Sequence, residues 1–306
     1  MRVAVAGVGH MGSYHAEKFA ARSDCRLIGV ADIEPARAQT LAQKLGCPAF
    51  LDYRDTFELA DAVVVSVPTD RHHEVAGACL DAGLHVLVEK PIATDLAQSD
   101  DLISRARKKN RVLQVGHVER HNAAFRALAA RVRRPLLIEA ERLSGFKRRG
   151  ADVDVVLDLM IHDLDLCLAL AGSEVSDLSA CGFRVLTQEI DIATARLEFA
   201  DGRVANLSAS RVSQVPVRKL RVFESGLYVS ADLQAGSLRY VGQVQGAIEE
   251  REETHAGDAL ASQAEAFVKA IERNPATVVD GESGRQALGL ALEVGRLVRE
   301  RLRKFG

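Results

Sequence analysis

The chain has 306 residues, enough for two domains that each bury a core of their own. Its 40 Lys+Arg against 42 Asp+Glu leave a formal net charge of -2, so no global field draws it to nucleic acid or to an anionic membrane. No apolar run reaches the roughly 18 residues of a membrane span, and the first strand begins at once without the regions of a signal peptide, so a soluble, unprocessed protein is expected.

The apolar run Val3-Ala4-Val5-Ala6 leads into Gly7-Val8-Gly9-His10-Met11-Gly12 and then a helix-like stretch over 13–21. In such a strand-turn-helix Gly7 permits the tight turn, Gly9 lets the backbone approach a pyrophosphate, and Gly12 lets the helix pack on the sheet. The phosphates then meet unpaired N–H groups at the positive helix end. A second strand over 26–31 ends on Asp32, where a carboxylate accepts the ribose hydroxyls of an adenosine and repels a 2′-phosphate. No arginine follows immediately, which favours NAD as cofactor, although Arg37 lies one turn further on. Further strands near 62–67, 85–88 and 111–115 alternate with helical segments, the pattern of a parallel sheet covered on both faces. Val67-Pro68 ends one of these strands. Glu89-Lys90-Pro91 ends the next, a position beside a bound nicotinamide.

After Pro135 the pattern changes to strands near 136–143, 178–186, 191–199, 203–211, 217–224 and 237–244. Strands that follow one another without helices imply an antiparallel sheet, and Asp201-Gly202 reads as a hairpin turn. Two helices close the chain: 259–273, ended by Asn274-Pro275, and 282–303, with apolar or small residues at Leu288, Ala291, Gly295, Val298 and Leu302. The basic run 299–304 reads as a solvated helix end that complements the dipole. Asp158 and His162 stand four residues apart and so share a helix face, which Asp165 continues. These three could serve as metal ligands, but no further His or Cys cluster accompanies them, and no metal is expected. Lys147-Arg148-Arg149 follows Gly145 as a basic loop, suited to a diphosphate or simply exposed. The five cysteines (Cys25, Cys47, Cys79, Cys167, Cys181) lack CxxC spacing and cannot all pair, which fits small core residues in a reducing cytoplasm.

Five segments together resemble the Gfo/Idh/MocA family of NAD(P)-dependent oxidoreductases: AGVGHMGSYH at 6–15, Pro68-xxx-His72, AGLHVLVEKPI at 82–92, VGHVERHNAAF at 115–125 and DLMIHDLD at 158–165. The resemblance implies an α/β protein with a doubly wound Rossmann domain over 1–120 and a second α/β domain over 121–306. The open, mainly antiparallel sheet of that second domain would serve as substrate platform and oligomer surface, with the last helices free to pack back on the Rossmann domain. Members mostly oxidise or reduce one carbon of a sugar, sugar nucleotide or cyclitol.

Carried over residue by residue, the resemblance puts Lys90 against substrate and cofactor, and Asp158 and His162 at the reacting carbon. It puts His15, His72 and Glu89 near the cofactor, and Arg120 and Asn122 on substrate within an RFNP-like segment from which His121 and Ala123 depart. Oxidising a secondary alcohol requires the hydroxyl proton to leave as hydride departs, and a positioned base contributes roughly 10²- to 10⁴-fold. His162 as proton acceptor, Asp158 holding its tautomer and Lys90 polarising the oxygen is one assignment; the exchange of Lys90 and His162 is another.

Within the family, the GHVERxN segment followed by a DLMIHDLDL-like helix resembles the UDP-N-acetylglucosamine 3-dehydrogenases of bacterial lipid A synthesis. This implies a nucleotide-sugar substrate and a homodimer or homotetramer. An inositol or free-sugar dehydrogenase is the alternative within the class. A non-catalytic NAD-binding sensor, from another class, would be expected to lack Lys90 or His162, and both are present.

Overall fold

Unbroken apolar runs form the inner strands of a parallel sheet, because strands covered on both faces have no solvent side to keep polar. The computed structural model describes residues 1–147, 153–244, 247–272 and 279–304. Its contacts divide the chain into one unit of Met1–Val118 with Ala259–Gln286 and another of Glu119–Asp258 with Ala287–Gly306.

The first unit runs β1 (Arg2–Ala6), α1 (His10–Ala20), β2 (Arg26–Ala31), α2 (Pro35–Leu45), β3 (Ala49–Phe50), β4 (Ala62–Val65), α3 (His72–Asp81), β5 (His85–Val88), α4 (Leu96–Lys109) and β6 (Leu113–Val115). Its six strands lie in the order β3-β2-β1-β4-β5-β6, all parallel, so the strand order reverses between β1 and β4. That reversal opens a crevice at the carboxyl ends of the strands, where doubly wound sheets bind ligands. The run Ala-Val-Val-Val of β4 is buried at every position. The short β3 has no apolar run of its own and escapes a reading by period. Much later in the chain, α7 (Ala259–Glu272) supplies Ala264, Phe267, Val268 and Ala270 to this unit's core beside Val3, Val5 and Phe19.

The second unit holds α5 (Ala123–Arg131), β7 (Leu137–Leu143), a π turn at Val156–Met160 that runs into α6 (Ile161–Ala171), then β8 (Val175–Phe183), β9 (Ile192–Phe199), β10 (Val204–Ser210), β11 (Val217–Glu224), β12 (Leu227–Asp232), β13 (Ser237–Val244) and β14 (Ala247–Thr254). The strands form one sheet in the order β14-β13-β12-β11-β7-β10-β9-β8. All neighbours are antiparallel except β7 and β10. Burial alternates along β9 and β7, so one face meets a core and the other does not. That core includes Phe125, Ile138, Ile161, Leu164 and Leu197, joined by Ala287, Ala291, Val294 and Val298 of α8 (Gly281–Leu302). Among the described residues, no helix is long and apolar enough to cross a membrane.

Several boundaries depart from the sequence reading for local reasons. The helix expected over 13–21 begins at His10, directly after the glycine turn. The strand expected over 178–186 is Val175–Phe183, because Asp191 Oδ2 accepts the backbone N–H groups of Val185, Leu186 and Thr187 at 2.8, 2.7 and 2.8 Å and draws them out of the ladder. Besides β3, two strands of the second unit were not expected. β12 returns from β11 through Ser225-Gly226, with Glu224 opposite Leu227 and Gly226 at φ +75. β14 reads Ala-Ile-Glu-Glu-Arg-Glu-Glu-Thr, an edge strand whose charges leave no apolar alternation and discourage pairing with another chain. The turn at Asp201-Gly202 does join β9 to β10, with Gly202 at φ +86 and its N–H bonded to Phe199 O at 2.9 Å.

Candidate active site

In the first unit the glycines act by close approach. A Cβ on Gly7, which sits at φ +82, would lie 2.6 Å from Ser66 O, and one on Gly12 would lie 1.8 Å from Gly7 O. A Cβ on Gly9 would meet nothing within 4 Å. Gly9 also caps α1 without any side-chain hydrogen bond, so the N–H groups of the first helical turn, from His10 onward, face that open space. This cradle, with an acidic residue at the end of β2, fits the pyrophosphate and ribose of NAD. Val8 is buried behind the turn, Met11 is half-buried, and the His10 ring is exposed, 4.8 Å from and edge-on to Tyr14.

Asp32 is 7% exposed and braces the same loop: Oδ2 accepts the Val8 N–H and Oδ1 the Glu34 N–H, each at 2.9 Å. Arg37 Nη1 lies 3.8 Å from Oδ2, so the arginine one turn on pairs with this carboxylate. After β4, Val67 and Pro68 lead into α3, where the buried His72 ring places Nδ1 2.8 Å from Pro91 O and Nε2 3.0 Å from Val67 O. The ring is therefore a strut between the loops after β4 and β5. Burial pushes its pKa below the ordinary value, against the pull of the two carbonyls. After β5, the Lys90–Pro91 peptide bond is cis and Lys90 is half-buried. Glu89 is 8% exposed, with Oε1 2.7 Å from Nε2 of the fully buried His15 and Oε2 accepting the Lys90 N–H at 3.2 Å.

In the second unit, Asp158 falls within the π turn and His162 in the first turn of α6. The i→i+5 pattern widens the helix there, a local feature that recurs at functional sites. Both side chains are half-buried, while Met160, Ile161, Asp163 and Leu164 around them are buried. Two guanidinium groups fix α6 from below. Arg142 of β7 meets both oxygens of Asp163 at 2.9 and 2.8 Å and Glu119 Oε1 at 2.9 Å, and all three side chains are at most 7% exposed. Arg120 meets both oxygens of Asp165 at 2.7 and 3.0 Å. Burial raises the pKa of Asp163 despite Arg142. The Arg142 guanidinium is held above its ordinary range because the two carboxylates outweigh the cost of burial.

The sequence reading sets Arg120 and Asn122 against substrate, and the geometry gives each a structural task. Arg120 is committed to Asp165. Asn122 caps α5 with Oδ1 accepting from Ala124 and Phe125, and its amide donates to Leu233 O at 2.9 Å and to Glu119 Oε2 at 3.2 Å, which uses all four of its hydrogen-bond positions. Lys147 is exposed, and Arg148 and Arg149 lie outside the described residues. Sequence reasoning missed Arg142, although it left a signal. With Ile138 and Ala140 it occupies the buried phase of β7, and an arginine there requires buried carboxylates.

A dinucleotide cradle at the switch point of a parallel sheet, paired with a domain built on an open sheet, defines a nicotinamide-dependent oxidoreductase of the two-domain type. Residues 1–117 match the model of the oxidoreductase family with NAD-binding Rossmann fold, and residues 124–226 match the GFO/IDH/MocA C-terminal domain. The chain belongs to the Gfo/Idh/MocA family, and its first domain is an NAD-binding domain. It is 41% identical over 302 residues to the UDP-N-acetylglucosamine 3-dehydrogenase of Acidithiobacillus ferrooxidans, covering 96% of each chain. It is 27% identical to the myo-inositol 2-dehydrogenase of Thermotoga maritima, covering 98% of this chain and 97% of that one. A solved structure of the Acidithiobacillus ferrooxidans enzyme superposes with a TM-score of 0.93 at 40% identity, covering 97% of both chains.

Proposed function

We propose that this protein oxidises the 3-hydroxyl of the sugar in UDP-N-acetylglucosamine to a ketone, with NAD as hydride acceptor, in the cytoplasm and in the service of lipid A or surface polysaccharide synthesis. The observation that carries the reading is the full-length 41% identity to an enzyme of that activity, against 27% to an inositol dehydrogenase of matching coverage. NAD, when bound, supplies the electron sink. The protein's own residues handle the proton. Lys90 donates a hydrogen bond to the reacting oxygen, His162 accepts the proton that leaves it, and Asp158 holds the histidine in the receiving tautomer. Lys147 is the cation assigned to the diphosphate, a group that an inositol lacks. The enzyme works as a homodimer or homotetramer, assembled through the open sheet of the second unit.

The test is purified protein incubated with NAD and either UDP-N-acetylglucosamine or myo-inositol, with NADH followed by absorbance and the product by mass. The expected result is NADH formed with the nucleotide sugar, together with a product two hydrogens lighter. NADH formed only with inositol overturns the substrate assignment, and none with either substrate overturns the enzymatic reading.

A further inference from the structure

The glutamate beside the active-site lysine is placed unusually for a surface-loop carboxylate. Its side chain is turned inward, where two other elements and its own neighbour in the chain close on it. His15, on the second turn of α1, puts Nε2 2.7 Å from Oε1. The N–H of Lys90 reaches Oε2 at 3.2 Å. Gly116, just past β6, completes the enclosure: a Cβ there would lie 3.0 Å from the Cα, Cδ and Oε2 atoms of Glu89. A side chain at 116 would press on the carboxylate, which would have to give by a few tenths of an ångström, so glycine is the residue that leaves the buried acid its room.

The charge state of the pair follows from hydrogen-bond counting. His15 is fully buried, and its Nδ1 has no hydrogen-bond partner among the described residues. A neutral ring that donates from Nε2 to Glu89 leaves only an acceptor lone pair at Nδ1. An imidazolium would bury an unsatisfied N–H donor there, at a cost of about 1–3 kcal/mol. The neutral ring against an ionised carboxylate is the state the geometry favours, and the pair then carries one net negative charge. Burial alone would push the Glu89 pKa up, but the His15 hydrogen bond, ahead of the positive charge around the carboxylate, brings it below the ordinary value.

We propose that His15 and Glu89 form a buried anionic dyad that keeps Lys90 protonated, so that Lys90 meets the substrate oxygen as a cation even beside a positively charged nicotinamide. Both are positioning residues: they act through Lys90 and need not touch substrate. The proposal rests on the role given to Lys90 above. The groups facing the carboxylate are His15 from α1, Lys90 from its own segment, the Gly116 backbone after β6, and, by charge, His72 from α3. With Lys90 retained as an ammonium donor, proton acceptance falls to His162, and the ambiguity between the two residues is removed.

The first test needs no cofactor. Protein labelled at the lysine side-chain carbons is titrated by NMR, with Lys90→Ala used to assign the Lys90 resonance. Glu89→Gln keeps the shape and removes the charge, and should lower the Lys90 midpoint by about one pH unit or more, as loss of a neighbouring opposite charge does. An unmoved midpoint overturns the proposal. The pH dependence of turnover with NAD and UDP-N-acetylglucosamine is the second readout. His15→Leu, which removes the donor, should move the acid limb to higher pH as Glu89 protonates more readily, and His15→Gln, which restores a donor, should return it. Coincident acid limbs in the two His15 variants overturn the proposal even if Glu89→Gln fails to fold. Turnover that survives Lys90→Ala instead refutes the role of Lys90 itself, a different failure.

Discussion

Replacing Asp163 with alanine is the sharpest perturbation of the ground on which His162 stands. Arg142 would lose both contacts to Asp163, at 2.9 and 2.8 Å, and keep only Glu119 at 2.9 Å, inside a site where each of the three side chains is at most 7% exposed. Breaking a buried ion pair by removing one partner costs about 3–5 kcal/mol, because the remaining charge stays out of water. At roughly 2–4 °C per kcal/mol for a domain of this size, the melting temperature should fall by about 6–20 °C. The double variant Arg142→Met with Asp163→Leu removes both charges and leaves Glu119 with Arg218 at 3.5 Å and Asn122 at 3.2 Å, so it should cost less than Asp163→Ala alone. Equilibrium urea unfolding followed by circular dichroism, with calorimetry for the midpoint, measures both. A loss under about 1 kcal/mol for Asp163→Ala, or a double variant less stable than the single one, would refute the idea that desolvated charge dominates here.

Lys90→Ala and His162→Ala should each lower turnover by at least about 10²-fold while NAD still binds, as stopped-flow hydride transfer and calorimetric titration would register; near-parental rates in both would disprove their assigned roles. Asp32→Ser should relax the preference for NAD, since it frees Arg37, 3.8 Å away, to meet a 2′-phosphate; steady-state kinetics with NADP that show no gain would contradict this. Burial, with Arg126 and Arg120 nearby, pushes the His121 pKa down from 6.5 to about 4, so the unfolded chain takes up a proton before the folded one as pH falls. Stability should therefore drop through that window by about 3 kcal/mol at this site, and urea midpoints at stepped pH should fall less steeply in His121→Gln than in the parent.

The first unit was legible because its signals are local: a glycine turn has one spacing, and fully buried strands are apolar without a break. Asp32 could be placed from chain order alone, while its bond to the Val8 N–H could not, since 24 residues separate them. The second unit was legible only where strands alternate. β14 disappears because an edge strand rich in Glu has no buried face to mark it. The i, i+4 relation of Asp158 and His162 was visible, whereas the π turn that carries Asp158 depends on packing and leaves no period in the sequence. The capping role of Asn122 was not legible because a cap and a substrate contact call for the same amide, and its bond to Leu233 spans 111 residues.

The contribution of α7 to the first unit bears on how the chain is made. Phe267 packs edge-on to Phe19 at 6.4 Å, yet the two are separated in sequence by the entire sheet of the second unit. On a ribosome adding roughly 5–20 residues per second, the nucleotide domain waits on the order of ten seconds after Val118 for the segment that covers its core. During that interval Phe19 and its neighbours lack their lid, and a fragment ending at Val118 would keep that surface open permanently. This topology leaves the nucleotide domain incomplete until that segment arrives, and any expression of the domain alone should carry residues 259–286 back to it by permutation.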